Sequence, residues 1–347
     1  MANRGGQTTE DRTGRLWQML LAGCLLSTLA AGCNPANTGD HPPPAVSHAA
    51  GRQPCAPAGG ADSRGVWIPP QTATIGSLDF EPEEAPPLTV SVAGFWIDAT
   101  EVTNAQFAQF VAATGYVTRA ERTGRDGAPE GGAVFAGGWR LDPTATWRKP
   151  FGAAGPDPIP EAPVVQIAYA DALAYAAWRG RDLPGEAEWE VAARGGLREA
   201  DYVWGETALS PAGKPAANHW QGLFPVADTA EDGYRAPAPV GCFAPNGYGL
   251  YDMAGNVWEW TKDRWSMRAQ AGVDSTARAS SDPALASGVT DGRVIKGGSW
   301  LCADNFCRRY RPAARQPGDP SLGTNHIGFR TVLRGAPPAQ TPAQRRP

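Results

Sequence analysis

The sequence predicts an α+β fold in one loop-rich domain with little regular secondary structure. Its 347 residues include 42 Gly, 33 Pro and 13 Trp, a combination that indicates many turns packed around large aromatic anchors. A hydrophobic content of 42% is ordinary for a globular protein and is enough for a substantial core. Helix-like and strand-like apolar patterns both occur along the chain, which favours a mixed fold.

Three segments carry helix signals. In TEVTNAQFAQFVAATG, Thr103 and Gln106 fit a capping box and Gly115 supplies a stop. LPGEAEWEVAARGG begins with Pro184, places three glutamates in its early turns and ends in glycines. Between them, YADALAYAAWRG predicts a helix with four residues facing inward, namely Leu173, Ala174, Ala177 and Trp178.

Short strands are predicted where β-branched and aromatic residues cluster between turn signals. These segments are GVWIP, LTVSVAGFWID, PVVQIA, RVIKGGSW and GFRTVL. They are spread along the chain between the helical segments, and no internal repeat or second linker separates them. We therefore expect a single folded domain over residues 65–334.

Residues 1–33 are typical of an export signal. Arginines precede the apolar run MLLAGCLLSTLAAG, which has the length of a signal-peptide core and is too short to span a membrane. The run ends at Cys33 in LAAGC, which resembles a bacterial lipobox, whereas Cys24 in LLAGC would leave too short an apolar run before it. We expect export to the periplasm or cell surface with lipid attachment at Cys33, and simple secretion is the alternative.

Two segments outside the domain have the composition of flexible chain. Residues 34–64 and 335–347 are rich in Pro, Ala, Gly and polar residues and lack the large apolar side chains that could offset ordering entropy. Cys55 lies in the first of these segments and Cys242 in a loop of the domain. They could pair, but a pairing between a tether and a loop is the weaker expectation.

The charge pattern excludes several function classes. A net charge of -4 and the absence of a basic run interleaved with aromatic residues argue against nucleic-acid binding. The sequence also contains no P-loop, no H-E-x-x-H and no nucleophile elbow.

The segment GGSWLCADNFCRRYR holds the pair Cys302 and Cys307. Two thiolates suit Cu(I), which accepts two sulfur ligands, whereas zinc usually requires four protein ligands and this segment supplies no further Cys or His. A structural disulfide is the alternative, and on compartment and spacing alone it is the stronger one.

Six segments follow one another in a characteristic order. They are VWIP with GFWIDATEVTNAQFAQFVAATGYVTRAER, LPGEAEWEVAARGG, NHWQGLFPVADTAEDGY, PNGYGLYDMAGNVWEW, RVIKGGSWLCADNFCRRYR and HIGFR. Together they resemble the formylglycine-generating enzyme (sulfatase-modifying factor) family over nearly all of residues 65–334. GNVWEW and GFR occur in a wider superfamily and indicate fold more than function. The Cys-x4-Cys element distinguishes the oxidases.

The resemblance implies an irregular α+β fold related to C-type lectin-like folds and a copper-dependent oxidase. Its substrate would be the cysteine of a C-x-P-x-R segment in an unfolded or extended sulfatase chain, converted to Cα-formylglycine with O2 and a thiol reductant. Cys302 and Cys307 would bind Cu(I), and Ser299 and Trp258 would line the pocket. The alternatives are a tight turn at Ser299 and a core position for Trp258. Where animal members have His and Tyr, this chain has Ala303 and Phe306.

The resemblance also implies two structural Ca2+ sites, built from side-chain and backbone oxygens. The first would use Asn218, His219, Asp232 and Tyr234, and the second Asp252, Gly255, Val257 and Glu259. The alternative is that the two aspartates cap turns. In the substrate groove, Asp126 would pair with the arginine of the peptide.

Two other functions remain open. The same scaffold could serve another periplasmic oxidation, or it could form a calcium-stabilised binding module without catalysis. A peptide assay separates the first from formylglycine formation, and uptake of Ca2+ without Cu(I) would indicate the second. We expect a monomer, attached to the membrane only through its lipid.

Overall fold

The computed structural model describes most of the predicted domain. The described residues are Cys55, 65–124, 127, 129–210, 213–268 and 291–335. The predicted signal peptide with Cys24 and Cys33, the tether except for Cys55, the groove residue Asp126 and the C-terminal tail beyond Gly335 lie outside them. Within these ranges, no helix has both the length and the apolar character needed to cross a bilayer.

The three predicted helices are present: α1 (Asn104–Thr114), α2 (Tyr169–Trp178) and α3 (Glu186–Ala193). Helix α1 begins as predicted, because the hydroxyl of Thr103 accepts a hydrogen bond from Gln106 N at 3.3 Å and the Gln106 side chain accepts one from Thr103 N at 2.9 Å. It ends at Gly115, whose φ of 66° lies in the left-handed region that glycine adopts at little cost.

The described strands are short. They are β1 (Val66–Ile68), β2 (Gln71–Ile75), β3 (Leu88–Val92), β4 (Phe95–Ile97), β5 (Gly132–Phe135), β6 (Trp139–Asp142), β7 (Gly222–Leu223), β8 (Ala227–Asp228), β9 (Trp258–Arg264), β10 (Arg293–Lys296), β11 (Arg315–Gly318), β12 (Ile327–Gly328) and β13 (Val332–Arg334). They form an antiparallel sheet β1–β4–β13, a sheet β11–β10–β9–β12 in which only β12 is parallel to its neighbour, and three two-stranded ribbons. The predicted α+β class is confirmed.

The predicted strand over LTVSVAGFWID is two strands that serve different sheets. Strand β3 pairs with β2, whereas β4 lies between β1 and β13. The break falls at Gly94, where any Cβ would clash with the ring of Trp67. The segment PVVQIA forms no strand, because Gln166 has a φ of 60° and interrupts the extended backbone.

Helix α2 buries a different face from the one predicted. Tyr169, Ala172, Tyr175 and Ala176 are buried, whereas Trp178 is 40% exposed. The ring of Tyr175 stacks on Phe107 of α1 at 5.8 Å between centroids, so the tyrosine takes the core position. The inward orientation predicted for Ala177 and Trp178 is therefore wrong, and Leu173 and Ala174 are only half-buried.

A buried ionic cluster joins α3 to β10. Glu190 is fully buried and accepts hydrogen bonds from Lys296 Nζ at 2.9 Å, Arg194 Nη2 at 2.7 Å and Gly76 N at 2.7 Å. This glutamate is therefore not a surface residue that merely complements the helix dipole. Its pairing with Lys296 fixes the end of β10, where the cysteine segment begins.

Cys55 and Cys242 form a disulfide. The sequence analysis treated this pairing as the weaker expectation, so the structure corrects it. The bond joins residues 187 apart in sequence, so one point of the tether is fixed to a loop of the domain. Closing so long a loop restricts the unfolded chain, which is how a disulfide mainly stabilises a domain.

Candidate active site

Two glycines turn the chain at the start of the cysteine segment, residues 297–311. Gly297 and Gly298 follow β10 with φ values of 93° and 76°. A Cβ on Gly298 would lie 2.5 Å from the backbone oxygen of Arg309, so the start and end of the segment are in close contact. The segment is therefore a closed loop, and both cysteines lie between its two contacting ends, Gly298 and Arg309.

Backbone hydrogen bonds from two neighbouring loops hold this segment in place. Gly255 N donates to Gly297 O, Trp300 N donates to Asn256 O, and Trp220 N donates to Cys302 O, each at 2.9 Å. These donors and acceptors come from the loops at residues 218–234 and 252–259. The loops predicted to bind calcium thus position the cysteine segment directly.

The two cysteines lie side by side and are not joined by a disulfide bond. Cys302 and Cys307 are 2% and 7% exposed, and their sulfurs are 3.1 Å apart, well beyond the roughly 2.05 Å of a disulfide bond. Burial, and then the adjacent Cys307, raises the pKa of Cys302 well above its usual value. Nη1 of Arg309 lies 3.6 Å from the sulfur of Cys307.

The donor set fits Cu(I) better than zinc. In the described part of the chain, no group of three or more His, Cys, Asp or Glu side chains is arranged to hold a metal. The pair therefore offers two soft sulfurs without the further ligands of a tetrahedral zinc site. Two sulfurs in a buried environment are a suitable donor set for a monovalent soft ion.

Ser299 and Trp258 have clear structural contacts beside the pair. The carbonyl of Ser299 accepts a hydrogen bond from Cys302 N at 2.9 Å, and its hydroxyl accepts one from Leu301 N at 3.3 Å, so this serine shapes the turn before Cys302. Trp258 is 1% exposed and belongs to the main hydrophobic core, which also includes both cysteines. A role for either residue in lining a substrate pocket stays a prediction.

An aromatic surface lies at the cysteine segment, formed by Trp139, Phe224 and Phe306 over the buried ring of Phe135. Phe306 is 53% exposed and stacks on Phe224 at 4.4 Å between centroids, and Phe224 stacks on Phe135 at 5.3 Å. Trp139 is 43% exposed and meets Phe135 edge-on. Sequence reasoning treated Phe306 only as a departure from the animal pattern. The partners of this residue come from distant segments, so no local signal could have shown the surface.

Three of the four residues predicted for the first calcium site, His219, Asp232 and Tyr234, are joined by hydrogen bonds. The carboxylate of Asp232 accepts hydrogen bonds from His219 N at 2.9 Å and from Tyr234 N at 2.8 Å. Burial raises the pKa of Asp232 to about 6. Asn218 lies beside them, and its amide donates to Ala236 O at 3.0 Å. The sequence analysis did not identify Gln221, whose side chain donates to the Asp232 carboxylate at 2.9 Å.

In the second predicted calcium site, Asp252 and Glu259 occupy different environments. Asp252 is buried, accepts a hydrogen bond from Gly241 N at 2.6 Å, and has its pKa raised to about 6 by burial. Both oxygens of Glu259 instead accept from Arg330, each at 2.8 Å, and one also accepts from Trp189 Nε1 at 2.8 Å. Glu259 is thus one half of a buried ion pair.

Glu101 is a third carboxyl group near this site, and the sequence analysis did not identify it. It is fully buried, and one of its oxygens accepts a hydrogen bond from Asn256 Nδ2 at 3.0 Å. Burial, together with the charge of Asp252, raises the pKa of Glu101 well above its usual value. The backbone of Gly255 and Val257 runs through the same buried loop.

Comparison with known proteins agrees with this architecture. The pattern of the sulfatase-modifying factor enzyme 1-like domain matches residues 56–335. Formylglycine-generating enzymes from Thermomonospora curvata and Mycobacterium tuberculosis are 48% and 46% identical, covering 76% and 77% of this chain and 91% and 96% of those proteins. The inactive C-alpha-formylglycine-generating enzyme 2 of Mus musculus is 37% identical, covering 74% of this chain and 80% of that protein.

A solved structure gives the same result at the level of the fold. PvdO from Pseudomonas aeruginosa superposes with a TM-score of 0.54 at 26% identity, covering 77% of this chain and 92% of that one. The domain pattern and the sequence relatives span most of the described residues. The chain belongs to the formylglycine-generating enzyme (sulfatase-modifying factor) family.

Proposed function

We propose that this protein converts the cysteine of a C-x-P-x-R segment in a sulfatase to Cα-formylglycine. The names of its relatives support the activity, but one family member at 37% identity is named inactive, so membership alone is not sufficient. The observation that carries the proposal is the pair of buried cysteines, Cys302 and Cys307, whose sulfurs are 3.1 Å apart.

The overall reaction needs both O2 and a reductant. A cysteine side chain, one O2, two electrons and two protons give an aldehyde, hydrogen sulfide and water, and a thiol that becomes a disulfide can supply the electrons and protons. A Cu(I) ion held by Cys302 and Cys307 would supply affinity for the substrate thiol and electron transfer to O2.

The protein's own residues provide position and shielding. Cys302 and Cys307 are almost completely shielded from water, and Ser299 fixes the backbone turn that precedes Cys302. The adjacent aromatic surface is an exposed apolar area of the kind that marks a binding site. We propose that it receives the apolar residues around the substrate cysteine in an extended or unfolded sulfatase chain.

We further propose that Ca2+ has a structural role. The buried, oxygen-rich loops around Asp232 and Asp252 support this role, because burial of a carboxylate is favourable when a cation compensates its charge. The pairing of Glu259 with Arg330 leaves Asp252 and Glu101 as the carboxyl groups best placed to serve the second site. Export and lipid attachment at Cys33 complete the proposal, with the enzyme acting as a monomer.

Mass spectrometry of a C-x-P-x-R peptide tests the function. The peptide is incubated with Cu(I)-loaded protein, O2 and a thiol, and conversion appears as a loss of about 18 Da, the difference between CH2SH and CHO. Protein with Cys302→Ser serves as the control and should leave the peptide unchanged. An unmodified peptide with copper-loaded wild-type protein would favour another oxidation, and uptake of Ca2+ without Cu(I) would favour a binding module.

A further inference from the structure

A buried arginine contacts the cysteine pair and is oriented by an acidic turn. Arg309 is 6% exposed, and its Nη1 lies 3.6 Å from the sulfur of Cys307. Its Nη2 donates to Glu83 at 2.6 Å and lies 3.3 Å from a carboxylate oxygen of Glu81. Glu83 belongs to a short 3-10 helix, Pro82–Glu84, that precedes β3. One edge of the guanidinium thus meets carboxylates and the other meets sulfur.

The neighbouring Arg311 shows what a purely structural arginine does in the same place. Arg311 is 1% exposed and binds Glu84 of the same 3-10 helix through both terminal nitrogens, at 2.9 Å and 2.5 Å. No hydrogen bond from Arg311 to either cysteine is present among the described contacts. Both residues are therefore buried arginines paired with a glutamate of the same 3-10 helix, and they differ in the contact with Cys307.

A cation beside Cys307 would matter because a copper-bound cysteine pair is negatively charged. Two thiolates and one Cu(I) carry a net charge of minus one, and a substrate thiolate would make it minus two. A buried negative charge is costly unless a cation or hydrogen-bond donors compensate it. Arginine stays protonated even when buried, so it can supply that compensation without gaining or losing a proton.

We propose that Arg309 is a positioning residue of the cysteine pair, whose guanidinium, held by Glu83, compensates the charge of the metal-bound sulfurs and fixes the side chain of Cys307. This inference rests on the proposed copper function and deepens it. The 3-10 helix at residues 82–84 is then part of the site, although it is more than 200 residues away in sequence from Cys307. Such supporting contacts typically change metal affinity by about 10- to 100-fold when removed.

The affinity of the full chain for Cu(I) tests this role. Reduced protein competes anaerobically with a chromophoric Cu(I) chelator, and the melting temperature of each variant is measured in parallel. We expect Arg309→Met to weaken Cu(I) binding by about 10- to 100-fold, and Arg309→Lys, which keeps the charge, to restore part of the loss. Arg311→Met is the matched control and should lower the melting temperature while leaving Cu(I) affinity within about threefold of wild type.

Each outcome decides the inference. Equal affinity in Arg309→Met and wild type, or an equal loss in Arg311→Met, would overturn it while leaving the proposed function standing. If wild-type protein binds no Cu(I), the inference fails together with the copper assignment, and the peptide assay then judges the function separately. If Arg309→Met does not fold, Glu83→Gln replaces it. That variant should bind Cu(I) several-fold more weakly, by the same loss of orientation, and unchanged binding would overturn the inference.

Discussion

The stabilisation of this protein by calcium should increase with pH. Asp232 and Asp252 are buried, and burial raises the pKa of each to about 6 from an ordinary value of 3.8. A raised folded-state pKa contributes stability that is present below pH 3.8 and is lost as the pH rises through about 6. At neutral pH the calcium-free protein therefore holds two buried carboxylates whose negative charge lowers the free energy of unfolding. A bound cation would remove this loss of stability.

The size of the effect follows from the protons that calcium must displace. At pH 5 a carboxyl group with a pKa of about 6 is protonated roughly ten times out of eleven, so binding a cation there costs about 1.4 kcal/mol more than at pH 8. Asp232 and Asp252 together give a difference of about 3 kcal/mol, and displacement of the proton of Glu101, whose pKa is also raised by burial, adds to it. The calcium-dependent increment in the free energy of unfolding should be larger at pH 8 by this order.

Urea unfolding at pH 5 and pH 8, with excess CaCl2 and with a chelator, measures the increment at each pH. The difference removes titrations that are common to the calcium-loaded and calcium-free protein. Asp232→Ala is the control variant, and it should reduce the pH dependence without abolishing it, because Asp252 and Glu101 of the second site remain. An increment that is equal at the two pH values, or larger at pH 5, would refute the reasoning.

Three further predictions follow from single contacts. Cys307→Ser should abolish formylglycine formation in the peptide assay while circular dichroism shows a retained fold, since a hydroxyl cannot replace a soft thiolate; turnover at the wild-type rate would exclude the copper role. Arg330→Met should lower the free energy of unfolding by about 3 to 5 kcal/mol, because Glu259 stays buried without its partner; a loss below about 1 kcal/mol would contradict this. Cys55→Ser should cost about 2 to 4 kcal/mol in denaturant unfolding by releasing Cys242, and unchanged stability would show that the disulfide does not constrain the unfolded chain.

Local signals in the sequence predicted local structure well. Thr103, Gln106 and Gly115 set the ends of α1 because a capping box and a left-handed glycine act within one turn. The fold class followed in the same way from strand and helix patterns. The Cys302–Cys307 pair was found because both members lie in one short segment, and the structure places their sulfurs in contact.

Features that depend on distant residues escaped the sequence analysis. The inward face of α2 is decided by Phe107, on which Tyr175 stacks, rather than by the apolar pattern of the helix alone. The charges on Glu190 and Glu259 can be buried because their partners, Lys296 and Arg330, come from distant segments of the chain, which a local pattern does not show. Likewise, Arg309 in CRRYR carries no signal that singles it out until Glu83 is placed beside it.

The arrangement separates the proposed roles of the two metals while keeping them connected. The loops at residues 218–234 and 252–259 reach the cysteine segment through backbone hydrogen bonds, as in the bond from Trp220 N to Cys302 O at 2.9 Å. Calcium would therefore act on the frame that holds the loop, and its loss would lower stability before it removed a copper ligand. Arg309, held by Glu83, contacts Cys307 at the opposite end of the segment, where we propose that it compensates the charge of the sulfurs. In this proposal, the loops at residues 218–234 and 252–259 supply the rigid frame of the site, and the Arg309–Glu83 pair supplies the charge compensation.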